Sequence, residues 1–265
     1  NHFQWGGDYQ NSLDKYLISK YVKVKQPSYE ELLSKFDTEI NTTVQNYVLS
    51  SWYNHWSSIL IENIFKQHPA VLPTIGQIKN VDFFINNIPF DLKVTYFPNE
   101  YMKLRRKEIG LPPELTFLKN KATELGIFFD KKDKTTNIQY EITEKLKDRN
   151  DAISSAVLNQ LKQERLSIVT EAQKNPKPLI QWLYENQGEI RFGAENRLFL
   201  ILVDTDDFEN SWKLKRNVDI LQPTIHQYLN NFSKKDSLSL KIDFKNFALS
   251  SIFLRLSTMP FSFRY

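Results

Sequence analysis

Apolar and polar residues alternate on both sides of Asn86-Asn87. Val81, Phe83 and Ile85 lead into the pair, and Ile88, Phe90, Leu92 and Val94 follow it. A period of two predicts half-buried strands, and Asn tolerates the positive φ of a two-residue turn. The spacing predicts a hairpin over 78–96 in which Ile85 faces Ile88, Phe84 faces Pro89, Phe83 faces Phe90 and Asp82 faces Asp91. Its polar face carries Asn80, Asp82, Asp91, Lys93 and Thr95.

Elsewhere the period is mostly helical. Leu13, Tyr16, Leu17 and Tyr21 mark a first helix that Asn11-Ser12 can cap, and Ser28 with Glu31 forms a capping-box signal for a second. A longer helix is expected over 43–66, with Val48, Trp52, Trp56, Ile59 and Leu60 as its core stripe and Glu62 at the stripe's margin. A carboxylate at a buried margin needs a partner, and water or a lysine would serve as well as a metal. Residues 141–172 predict one helix, and Leu179–Tyr184 a short one containing Trp182. Arg197–Asp204, RLFLILVD, is a continuous apolar run of the kind buried on both faces of a sheet. A helix is expected over 217–231, with His226 on its surface, and two strands over 237–257.

Composition narrows the class. The chain has 265 residues, 41% of them hydrophobic, which is enough for a sizeable core. It has no cysteine, so disulfides, thiolate zinc sites and thiol nucleophiles are excluded. No apolar run approaches 18 residues, and the N-terminus has no basic-then-apolar signal pattern. These features fit a cytoplasmic protein with no membrane partner. The chain does not begin with Met, so it is either processed or part of a longer one. Net charge of +4 permits a polyanionic partner without requiring one. Basic residues gather in 97–138, above all in Lys103, Arg105, Arg106 and Lys107, where a phosphate backbone could be met beside the hairpin. Gln160 is a polar helix position open to the same use. Glu100, Glu108 and Glu114 dilute that cluster, and a solvated face is the plain alternative.

Directly opposed carboxylates stand about 4.5–5.5 Å apart and destabilise a sheet unless one is protonated or a cation lies between them. Mg²⁺ takes one or two carboxylates with water and phosphate oxygens, and Lys93 projects from the same face. The same residues also read as an ordinary solvated hairpin face. A second D-x-K triplet, Asp243-Phe244-Lys245 with Asp236 ahead of it, leaves no room for a hairpin between its acids.

The order of helix with Glu62, strand with Asp82, strand with Asp91-Leu92-Lys93, helix and buried strand resembles the PD-(D/E)xK nuclease superfamily over about residues 45–205. Val81 stands where the family nominally has proline, and Asp91 where glutamate is commoner. The resemblance implies an α/β (mixed α+β) fold with a restriction-endonuclease-like core, a mixed sheet flanked by helices. It also implies a helical N-terminal extension over 1–45 and a nuclease domain over 46–265, with a core at 46–205 and a basic insertion at 97–138. Asp82, Asp91 and the Leu92 carbonyl would hold Mg²⁺, or Mn²⁺ in its place. Lys93 would support the attacking water, and Glu62 would supply the helix-borne acid and a further metal ligand. The expected activity is metal-dependent hydrolysis of double-stranded DNA by a prokaryotic type II restriction endonuclease, with homodimers common in that group. The alternatives are a repair or recombination nuclease, or a non-catalytic DNA-binding protein of the same fold.

Overall fold

Asn86 and Asn87 adopt φ of 49° and 65°, the two successive left-handed positions of a type I′ turn, whose twist matches the strands it joins. A computed structural model describes residues 13–24, 28–74, 81–131, 135–186, 196–232, 238–242 and 252–256. In it the turn sets β2 (Phe83–Ile85) against β3 (Ile88–Tyr96), with Ile85 opposite Ile88, Phe84 opposite Pro89 and Phe83 opposite Phe90. β1 (Val71–Pro73) pairs antiparallel with β2, and β4 (Asn196–Leu202) pairs parallel with β3. The result is a four-stranded mixed sheet in the order β1-β2-β3-β4.

Ahead of β1 the described residues are mostly helical. α1 (Leu13–Leu17) passes into a π-type turn over Ile18–Val22. Ser28 caps α2 (Tyr29–Lys35) by accepting the Glu31 N–H at 3.1 Å, as its sequence signal predicts. α2 continues through a second π-type turn, Phe36–Ile40, into α3 (Asn41–Lys66). Right-handed φ/ψ at Lys35, Ile40 and Asn41 make this stretch one helical rod that crosses residue 45 without a break.

The phase of α3 differs from expectation. Val48, Trp52 and Trp56 are 55%, 51% and 51% exposed, while Ser50, Tyr53, Ser57, Ile61, Ile64 and Phe65 face inward. Docking of Ile61, Ile64 and Phe65 on the sheet fixes the helix rotation, and at 3.6 residues per turn Tyr53 and Ser57 then fall on the inner side. The small Ser57 admits a 3-10 segment, Phe208–Arg216, close to the helix. Tyr53 Oη donates to the Trp212 carbonyl at 2.8 Å and Arg216 Nε donates to Ser57 Oγ at 3.1 Å.

Helices cover both sheet faces. On one, α3 and α9 (Val218–Asn230) bury Phe83, Phe90, Leu198, Leu200 and Leu202. On the other, α4 (Asn99–Glu108), α7 (Ala152–Lys174) and α8 (Lys177–Asn186) pack against Phe199 and Val203. β4 is therefore buried on both sides, as its unbroken apolar run predicts. A third cluster joins α5 (Glu114–Glu124), α6 (Thr135–Arg149) and α7 through Phe117, Leu118, Ile142, Leu146 and Leu161. The stretch after β3 is thus a packed helical layer with a small core of its own.

One expected helix proves to be two. Asn150 adopts φ of 46°, and Asp151 restarts the chain by accepting the Ser154 N–H at 2.6 Å. Asn tolerates the left-handed position and Asp caps well, so the local sequence Asn150-Asp151 is itself the break. β5 (Leu238–Ile242) and β6 (Ile252–Leu256) form a separate antiparallel pair, with β6 beside β4. The Asp243-Phe244-Lys245 triplet and Asp236 lie outside the described residues. Among the described residues no helix is long and apolar enough to cross a membrane.

Candidate active site

The regular hairpin register ends one residue before the first acid. Asp82 N–H donates to the Phe90 carbonyl at 2.9 Å, although Phe90 already pairs with Phe83. Two residues against one define a β-bulge, which re-aims the side chain beside it. Asp82 is therefore not squarely opposite Asp91, as uninterrupted alternation would require. Its Oδ2 instead accepts the Leu92 N–H at 2.7 Å, which places the carboxylate against the peptide that follows Asp91.

Asp91 is 6% exposed, and a cation meets each of its oxygens. Lys93, two residues along the same strand face, donates to Oδ1 at 2.7 Å. Arg197 Nε stands 3.2 Å from Oδ2. The parallel ladder pairs Asp91 with Arg197 directly, and the Arg197 guanidinium lies 4.8 Å from the Tyr184 ring centroid. Arg197 opens an otherwise apolar strand, and a cation entering a buried strand needs a counter-charge. That was the available signal for its role, but nothing local to it named Asp91.

Glu62 acts on Asp82 by charge from α3, where it is paired with Lys66 one turn on. Burial holds the Asp82 carboxyl above the ordinary carboxylate range, and the charges of Asp91 and Glu62 push it further. The Leu92 N–H and Lys93 oppose that shift without cancelling it. The charges of Asp91, Glu62 and Lys93 thus all act on Asp82, and its surroundings favour the protonated carboxyl.

The donor set fits a hard divalent cation. Asp82, Asp91 and the Leu92 carbonyl offer only oxygen, and Asp82 Oδ1 accepts no hydrogen bond from a described residue. Lys93 covers Asp91 Oδ1 and would have to yield it. Among the described residues no three acidic or histidine side chains are already gathered at metal-binding distance. Two carboxylates and a carbonyl are thus the oxygen groups that these residues could offer such an ion.

The expected phosphate contacts divide. Lys103 and Lys107 are exposed on α4, with Lys103 near Glu100 at 3.5 Å. Arg105 is held by both oxygens of Glu171, at 2.8 and 2.6 Å, and by Glu108. Arg106 corrects the expectation outright. It is 0% exposed, with Nη2 2.8 Å from Glu164 Oε2 and Nε donating to the Pro112 carbonyl at 2.8 Å. It lies one turn after the buried Met102, so its place in the helix points it inward. Gln160 is exposed and donates to the other oxygen of Glu164 at 2.8 Å.

Comparison with protein-family models, with curated proteins and with solved structures returns no match.

Proposed function

We propose that this chain is a metal-dependent nuclease of the PD-(D/E)xK type that cuts double-stranded DNA as a restriction endonuclease. The observation that carries the reading is the placement of Asp82, Asp91 and Lys93 by one bulged hairpin, with Glu62 close enough to add to the Asp82 field. The order of elements supports it: a helix bearing Glu62, the hairpin, a helical layer and a buried strand parallel to β3.

Asp82, Asp91 and the Leu92 carbonyl would hold Mg²⁺ or Mn²⁺. When bound, such an ion polarises a phosphoryl oxygen and lowers the pKa of water. Arg197 stays on Asp91 Oδ2 and keeps that carboxylate from turning. Lys93, displaced from Oδ1, keeps its ammonium beside the reacting phosphate, where it orients the incoming water and offsets developing negative charge. Glu62 adds an acid at the edge of the site, steadied by Lys66. Exposed Lys103 and Lys107 suit backbone phosphates of the flanking duplex.

Plasmid DNA incubated with the protein and Mg²⁺ tests this reading. Discrete fragments that depend on Asp82, Asp91 and Lys93 are expected. A smear or structure-dependent nicking would point to repair or recombination instead, and binding without cutting to a non-catalytic relative. Wild-type cutting by both Asp91→Ala and Lys93→Ala would overturn the site.

A further inference from the structure

We propose that Trp52 and Trp56, flanked by Arg216 and Lys213, form a platform on which the unpaired bases of a single DNA strand stack. α3 turns both indoles outward, one helical turn apart and each 51% exposed. A surface helix normally turns charged residues to solvent, yet residues 41–61 contain no Asp, Glu, Lys or Arg. The charge on this face comes instead from the 3-10 segment packed against it, whose last turn carries Lys213, Lys215 and Arg216. Residues three apart eclipse in a 3-10 helix, so Lys213 and Arg216 share one side, and both are exposed. The Arg216 guanidinium lies 4.7 Å from the Trp52 ring centroid, and its bond to Ser57 holds it there. The Lys213 ammonium lies 5.7 Å from the ring centroid of Trp212, which meets Tyr53 edge-on. His55 meets Trp56 edge-on at 5.5 Å.

The chemistry of the platform selects its occupant. Its exposed charges are of one sign, which suits a polyanion. The neighbouring acids are engaged or set apart. Glu39 pairs with Lys20 and lies about 20 Å back along the rod from Trp52. Glu62 pairs with Lys66, and Glu209, at the far end of the 3-10 segment, pairs with Arg165. Asp219 opens α9, where it complements that helix's dipole. Inside a duplex each base already stacks on its neighbours, so exposed indoles serve unpaired bases. Every base has a π-face, so aromatic rings beside cations bind a strand without reading its sequence. The choice of DNA over RNA rests on the nuclease reading. The stacking does not.

Fluorescence anisotropy of a labelled oligothymidylate of about 20 nucleotides, with the full chain in EDTA, tests the proposal without any cutting. The wild type is expected to bind with a Kd of about 1–10 µM at about 50 mM salt. Trp52→Leu/Trp56→Leu keeps apolar bulk and removes the stacking rings. It should weaken binding at least about 30-fold and leave duplex binding unchanged. Trp52→Phe/Trp56→Phe keeps the rings and should stay within about 5-fold of the wild type. If the leucine pair does not fold, Lys213→Ala decides, because it should lower the slope of log K against log [salt] by about 0.7. No binding by the wild type at about 100 µM would overturn the proposal. So would a leucine pair, or a Lys213→Ala variant, that binds the strand like the wild type. Preference for oligouridylate of the same length would overturn the choice of DNA. Strand binding through the tryptophans in a chain that cuts no DNA would support this proposal and sink the nuclease reading.

Discussion

Arg197 stands directly across the parallel β3–β4 ladder from Asp91, with its Nε 3.2 Å from Asp91 Oδ2. Both side chains are about nine-tenths buried. Removing one member of a buried pair leaves the other charge without compensation, at a cost of about 3–5 kcal/mol. Asp91→Ala is therefore expected to lose stability of that order as well as activity, seen as a lower denaturation midpoint. Asp91→Leu combined with Arg197→Met should recover most of the stability and none of the cutting. An Asp91→Ala protein that unfolds with the wild type would show that the pair does not bear on the fold.

Lys93 is the contrasting case. Its side chain is about half exposed, and an ion pair open to solvent contributes about 0–1 kcal/mol. Lys93→Ala should unfold within about 1 kcal/mol of the wild type while DNA cutting falls by at least about 100-fold. Matched urea titrations and plasmid digests separate the two effects. Equal losses of stability and activity would mean that Lys93 acts only by holding the hairpin together.

Asp82 predicts a pH signature. Burial, then the charges of Asp91 and Glu62, hold its carboxyl above the ordinary range. The folded chain therefore binds this proton more tightly than the unfolded chain. The resulting stability is complete below the ordinary carboxylate value of about 3.9 and is lost as pH rises through the raised folded value. Asp82→Asn removes the charge and keeps an oxygen for the Leu92 N–H. The variant should melt a few degrees above the wild type near neutral pH, roughly 2–4 °C for each kcal/mol relieved in a chain of this size. At about pH 3 the two should melt together. Because a cation needs the ionised carboxyl, Mg²⁺ should raise the wild-type melting point more at about pH 8 than at about pH 5 and should barely affect the variant. A pH-independent difference between the two proteins would contradict this electrostatic picture.

The local features of the hairpin were legible because their causes are local. Asn86-Asn87 favours the turn, and period-two alternation orders Phe83, Ile85, Ile88 and Phe90. The bulge at Asp82 was not legible, since alternation alone continues the register and backbone hydrogen bonding breaks it. Arg197 was hidden for another reason. Its partner is more than 100 residues away in sequence, brought near only when β4 docks beside β3. α3 failed on phase: Trp52 and Tyr53 are adjacent apolar positions, and only the docking of Ile61, Ile64 and Phe65 decides which one faces inward. The Asn150-Asp151 break was present in the sequence and was masked by apolar residues that keep helical spacing on either side of it.

Phase also separates the basic residues of α4, and this can be measured directly. Arg106 is fully enclosed and paired with Glu164, whereas Lys103 and Lys107 face solvent. Arg106→Ala leaves Glu164 buried without its cation, and a loss of about 3–5 kcal/mol is expected. Any fall in DNA binding should then track the unfolded fraction. Lys103→Ala/Lys107→Ala should melt like the wild type. If each lysine meets one phosphate, the double variant should bind duplex DNA more weakly and reduce the slope of log K against log [salt] by about two. The slope is the decisive readout, because a destabilised protein binds less at every salt concentration without changing it. An unchanged slope would remove α4 from the DNA contact and leave the charge run as a solvated face.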